Sequence, residues 1–373
     1  MTSDLLVFGE DWGALPSSTQ HLISHIAQMR NTIWVNSIGL RRPRISVHDM
    51  KRIWDKVTAT QQVAASEVVL PSQNFHILNP ITIPAPKYQL ERSLASKLLL
   101  AQLLPLLQQH DLNSPILWTS LPTAVDMVDG IDHRALVYYC GDDFSGLAGV
   151  DHETILEHEQ KLVKKADLII AASEVLATRF PANKTRVLTH GVNYPLFATP
   201  TSRALDLIDN GRPIAGFYGS ISEWLDLDLL QQVIQRLPQW NFVFIGKVVV
   251  DVSQLQRLDN VTFLGERDHQ QLPSYSQHWT ASLLPFVDNS QIQNCNPLKL
   301  REYLAAGRAV ISTPFPALAP YKQHISIVNN VDEMVHGLIE SESKPANPQQ
   351  QCAVIDQTWS AQADKLISWL EAL

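Results

Sequence analysis

Short, nearly continuous apolar runs separated by helical patterns limit what this chain can fold into more than any other feature. The runs at Leu5–Phe8, Thr32–Val35, Ile116–Thr119, 135–139, Leu168–Ala171 and 186–189 recur in the first half. Those at Ile214–Tyr218, 242–245, 261–264, 281–285 and Ala309–Ser312 recur in the second. Strands covered on both faces by helices read this way, whereas half-solvated strands alternate apolar with polar. Helical patterns fall between them at 18–29, 89–108, His152–Lys165, 225–237, Leu298–Ala306 and 356–370. The alternation predicts α/β domains with parallel sheets.

The chain has 373 residues, which suggests two domains. A stretch rich in turn residues at 198–213 precedes the strand at Ile214–Tyr218 and marks the expected boundary. A second polar stretch, 340–351, precedes the last helix. The expected organisation is therefore one α/β domain over 1–198 and a second over 210–350, with 355–373 as a terminal helix and a cleft between the domains. In such sheets ligands collect at the carboxyl ends of the strands.

Composition narrows the function. Lys plus Arg is 29 against 37 Asp plus Glu, a net charge of -8 that argues against a nucleic-acid binder. Three cysteines, Cys140, Cys295 and Cys352, are too few and scattered for a disulfide framework or zinc site. The start lacks a basic region followed by a long apolar stretch, and no run of 18 apolar residues occurs. The expectation is a cytoplasmic protein.

The loops after the strands carry the candidate chemistry. Leu5–Phe8 leads through Gly9, Glu10, Asp11, Trp12 and Gly13 to a hydroxyl-rich helix start, suited to an anion or sugar and equally to a plain capped turn. Asp142 and Asp143 follow the run at 135–139. Adjacent carboxylates there are costly unless solvated, paired or used. One of them, Asp142 first and Asp143 second, is a candidate general base for an acceptor hydroxyl. His190, followed by Gly191, would face the cleft as a packing or catalytic residue. Gly219 and Ser220 stand where a strand hands over to a helix and backbone N–H groups can meet a diphosphate.

The most informative segment is 294–307, NCNPLKLREYLAAG. Pro297 suits the first turn of a helix and Gly307 its end. The helix start then offers free N–H groups, with Lys299 beside them. Glu302 lies one turn on, where a carboxylate can accept both hydroxyls of a ribose. Solvated helix cations and a surface acid are the plainer alternative.

Residues 297–313, PLKLREYLAAGRAVIST, resemble the donor-binding helix of two-Rossmann-domain (GT-B) glycosyltransferases, family 4 and its teichuronic-acid-type relatives. Residues 166–174 (ADLIIAASE), 190–193 (HGVN) with Phe197, 20–22 (QHL) and Trp359 resemble further segments of that family. The resemblance implies that the second domain binds a nucleotide-diphosphate sugar, with a lean to UDP, and the first an acceptor glycan or lipid-linked acceptor. It implies no metal, and a final helix crossing back to the first domain. Glu302 would hold the ribose, Asn296, Pro297, Leu298 and Lys299 the diphosphate, Gly219 and Ser220 its other side, and Glu266 with Arg267 the base.

Three departures accompany the match. The acid expected eight positions before Glu302 is Asn294. The Arg and Lys pair after the first strand of the second domain is missing, leaving Lys247 or Lys299 to supply charge. The frequent histidine of the first domain is replaced by Asp142 and Asp143. A non-catalytic nucleotide-sugar-binding or scaffold subunit and a nucleotide-sugar epimerase are the competing readings. Arg41, Arg42 and Arg44 precede Met50, Ile53, Trp54 and Val57, which share a helical face suited to peripheral contact with anionic lipid or to covering the sheet.

Overall fold

The computed structural model describes residues 3–13, 17–37, 70–83, 86, 88–143, 152–344 and 346–373. The basic segment around residues 41–57 lies outside them. The chain divides into two compact units, residues 1–189 with 362–373, and residues 190–361.

In the first unit, seven parallel strands form one sheet: β1 (Leu5–Phe8), β2 (Thr32–Val35), β3 (Phe75–Leu78), β4 (Ile116–Thr119), β5 (Ala135–Cys140), β6 (Leu168–Ala171) and β7 (Thr185–Val187). Their order is β3-β2-β1-β4-β5-β6-β7. Helices α1 (Ser18–Ile26), α2 (Gln89–Gln109) and α3 (His152–Lys165) belong to this unit. Strands β1, β2, β4, β5 and β6 are buried at every position, which explains their unbroken apolarity. The edge strand β3 is half-buried beyond Phe75 and contains His76, so its apolar signal was too weak to be expected from the sequence.

The second unit repeats the plan with β8 (Ile214–Tyr218), β9 (Asn241–Ile245), β10 (Val261–Gly265), β11 (Ala281–Leu284), β12 (Ala309–Ser312) and β13 (Ser326–Ile327). The order is β10-β9-β8-β11-β12-β13. Its principal helices are α4 (Leu227–Arg236), α5 (Leu298–Ala306) and α6 (Val331–Glu342). The last of these occupies part of the stretch read from composition as polar linker. Its buried face, Met334, Gly337, Leu338 and Ser341, is spaced for a helix but carries only two large apolar side chains. The final helix α7 (Trp359–Leu370) opens at Trp359 and continues into the part of the chain assigned to the first unit.

The boundary falls between Thr189 and His190, ahead of the turn-rich 198–213 stretch. Packing explains the difference. Val192 and Phe197 are buried in the second unit's core, and the Val192 amide donates to the Gln357 carbonyl at 2.8 Å. Gly191 is required here, because a Cβ would lie 2.7 Å from the Trp359 ring. Gly216 in β8 is equally constrained: a Cβ would lie 1.7 Å from the buried Trp279 ring.

Both sheets reverse their strand order beside the first strand, between β1 and β4 and between β8 and β11. Such reversals open a crevice at the carboxyl ends of the flanking strands, where doubly wound sheets bind ligands. In the second unit those ends lead to Gly219 on one side and, through residues 285–297, to α5 on the other.

Candidate donor site

Helix α5 is a core helix. All positions from Leu300 to Ala306 are buried. Pro297 is its N-cap rather than its first helical residue, with φ -68° and ψ 129°, and no side chain caps the first turn. The Leu300 amide donates to the Pro297 carbonyl at 3.3 Å, and the N–H groups of Leu298 and Lys299 are left for something else. Gly307 closes it at φ 75°, the left-handed geometry glycine tolerates best.

Lys299 sits in that first turn. Its ammonium lies 4.8 Å from the Phe217 ring centre and 5.6 Å from that of Phe286. Among the described residues no carboxylate pairs with it. Burial pulls its pKa down to about 8, with the charges of Glu302 and Cys295 acting the other way. A cation held over aromatic faces and short of a counter-ion is arranged to meet an anion.

Gly219 faces this lysine at φ 130°, and a Cβ there would lie 2.7 Å from Nζ. The Gly219 amide donates to the Ile245 carbonyl at 2.8 Å, which binds the loop after β8 to the end of β9. Gly246, not singled out from the sequence, makes the same approach possible. It has φ 135°, and a Cβ would lie 2.1 Å from the Gly219 oxygen. Ser220 is half-buried in this loop. Lys247 is exposed, and its carbonyl accepts from the Ile221 amide at 2.8 Å.

Glu302 is buried one turn beyond Lys299. Its Oε2 accepts from the Tyr218 hydroxyl at 2.7 Å, and its Oε1 lies 2.6 Å from His269 Nε2. Tyr218 ends β8, and its amide donates to the Tyr303 hydroxyl at 2.9 Å. Neither Tyr218 nor His269 was expected as a partner.

The other expected donor residues have partners of their own. Arg301 is not a solvated helix cation: it is 2% exposed. It donates to Asn296 Oδ1 at 2.8 Å and Gln357 Oε1 at 3.0 Å and lies over Tyr321. The Asn296 side chain is thus used to hold the helix start. Asn294 Nδ2 donates to the Ser290 carbonyl at 2.8 Å. Arg267 reaches Asp206 at 2.6 Å, the Tyr275 hydroxyl at 3.0 Å and the Glu266 carbonyl at 2.8 Å. Glu266 itself is exposed. His190 is 8% exposed, and burial with the Arg301 charge lowers its pKa to about 3.

In the first unit the paired aspartates separate. Asp143 is buried and ion-paired with Arg179, whose second arm lies 3.4 Å from Glu159. That pairing gives Asp143 a structural use. The Asp142 side chain reaches the surface, yet crowding by protein on its other sides, and then the charge of Asp143, push its pKa up to about 6. Gly13 has φ 84° in the loop after β1, where the Trp12 amide donates to Asn36 Oδ1 at 2.8 Å. Glu10 in the same loop is hydrogen-bonded by Ser17, and burial raises its pKa.

Among the described residues, no group of three or more His, Cys, Asp or Glu side chains is placed to hold a metal ion, and no helix is long and apolar enough to cross a membrane.

Residues 212–341 match the family model described as glycosyl transferases group 1. The matched segment lies within the second unit. The chain is also 28% identical over 221 residues to a Bacillus subtilis (strain 168) protein assigned by name to teichuronic acid biosynthesis as the glycosyltransferase TuaH. That match takes in 54% of this chain and 56% of the relative, so it spans little more than half of either. Solved structures share the fold over nearly the full length. Anabaena HepE in complex with UDP superposes with a TM-score of 0.67 at 14% identity, covering 99% of this chain and 100% of that one. The E. coli trehalose-6-phosphate protein bound with UDP-2-fluoro glucose gives 0.66 at 14% identity, covering 100% and 99%. The architecture of the chain is thus the GT-B fold.

Proposed function

We propose that the protein transfers a sugar from a UDP-sugar to a glycan or lipid-linked acceptor without a metal ion. The observation that carries this reading is the pairing on α5. A half-buried lysine without a carboxylate partner among the described residues stands at an uncapped helix start, and a buried carboxylate follows one turn later. The first pair of features suits a diphosphate and the second a ribose diol. The ligands of the structural neighbours, UDP and UDP-2-fluoro glucose, support the same donor class.

In this mechanism the Lys299 ammonium and the α5 N–H groups face the charge that grows on the departing UDP, which is where fixed donors lower a barrier most. They supply the positive charge that a metal supplies in other transferases. The Gly219 backbone lies on the other side of the phosphates, close to Lys299 because neither Gly219 nor Gly246 carries a side chain. Asp142 is the base for the acceptor hydroxyl. A nucleotide-sugar donor places the reaction in the cytoplasm, at the inner face of the membrane where the acceptor is lipid-linked.

The test is UDP release from a panel of UDP-sugars with glycan and lipid-linked acceptors, in EDTA. Acceptor-dependent release that survives EDTA is expected. Asn294 in place of an acid and Asp143 held by Arg179 favour one alternative, a subunit that binds the donor and transfers nothing. UDP binding with no turnover across the panel would support that alternative.

A further inference from the structure

We propose that His269 is a positioning residue for the donor ribose, holding the Glu302 carboxylate so that one lone pair on each oxygen is left for a sugar hydroxyl. The proposal rests on Glu302 being the ribose residue.

A carboxylate has about four lone-pair sites, two on each oxygen. Tyr218 takes one on Oε2 at 2.7 Å and His269 one on Oε1 at 2.6 Å. Two sites remain, one per oxygen, which is the number a cis-diol needs. The two supports differ in kind. Tyr218 is fixed in the core at the end of β8, with its ring edge-on to Tyr303. His269 comes from the 3₁₀ turn His269–Gln271 after β10 and is itself partly exposed, so Oε1 is held from the rim of the site.

The imidazole is seated by its surroundings. The Phe197 ring stands edge-on to it at 5.4 Å. The charged and titratable groups around the pair are Glu302 and Lys299 on α5, Tyr218 on β8, Tyr303 on α5 and the neighbouring Asp268. Burial works against a charge on His269, and the hydrogen bond and charge of Glu302 outweigh it, so its pKa is raised above 6.5. The hydrogen bond from the imidazole stops the Glu302 carboxylate from turning toward the Lys299 ammonium. A ligand-binding carboxylate oriented by such a partner binds more tightly than one free to rotate.

The test compares UDP with inorganic pyrophosphate, which lacks the ribose, by calorimetry at pH 7. In His269→Ala, UDP affinity is expected to fall about 10- to 100-fold, the scale of a lost hydrogen bond to a charged group, while pyrophosphate affinity is unchanged. His269→Gln, whose amide N–H can still donate to Oε1, is expected to recover most of the loss. NMR titration of the imidazole should give a pKa above 6.5 that drops in Glu302→Gln. If His269→Ala binds UDP as tightly as wild type while Glu302→Gln loses it, the inference fails and the ribose assignment stands. If Glu302→Gln also binds normally, or wild type binds no UDP, the donor-site reading fails with it.

Discussion

Replacing Lys299 by Ala is expected to lower kcat/KM for the donor by about 100- to 1,000-fold, the range seen when one preorganised charge or donor is removed from a developing anion. The ammonium already lies in the site over Phe217, unpaired by any carboxylate among the described residues, so little has to move when a diphosphate arrives. Lys299→Met keeps the packing against Phe217 and Phe286 and should lose nearly as much, which separates charge from shape. The pH dependence follows from the same group. With a pKa held near 8 by burial, Lys299 is charged below that value and loses its proton above it. Donor affinity should therefore decline as pH rises past about 8, and the decline should vanish in the Met variant. Initial-rate kinetics and calorimetry across pH 6 to about 9.5 check both expectations.

Asp142→Asn is expected to cut kcat by about 10²- to 10⁴-fold, the usual contribution of a positioned general base, and to leave UDP affinity unaltered. The aspartate lies in the first unit and the α5 site in the second, so acceptor chemistry and donor binding should separate cleanly in such a variant. Asp142 acts as a base only when ionised. Its pKa near 6 predicts that kcat falls as pH drops below about 6, with full activity above it. Asp143 serves as the internal control. It is buried and paired with Arg179, so Asp143→Asn should lower stability more than it changes the pH profile. An acid limb that persists unchanged in Asp142→Asn would remove Asp142 from the mechanism.

The sequence carried the architecture because strands buried on both faces leave long apolar signatures, and β1, β8 and β9 are buried throughout. It carried the core of the site because Pro297, Lys299, Glu302 and Gly307 lie on one short helix, where spacing alone sets their relation. What it hid depends on contacts between distant positions. Nothing near Asp142 and Asp143 says which is paired, because Arg179 arrives from 36 residues away. His269 and Tyr218 meet Glu302 only once β8, β10 and α5 are assembled. Gly246 lies after an ordinary strand, and its need for a bare backbone is visible only against Gly219. Arg301 reads as a surface cation until Asn296 and Gln357 are found around it.

The central claim is that the α5 start and its lysine take the pyrophosphate while Glu302 takes the pentose. A crystal structure with UDP bound tests it most directly. The account predicts phosphate oxygens within hydrogen-bond reach of Lys299 Nζ and the N–H groups of Leu298 and Lys299, with O2′ and O3′ on Glu302. A nucleotide seated elsewhere, with that helix start still facing solvent or protein, would contradict it.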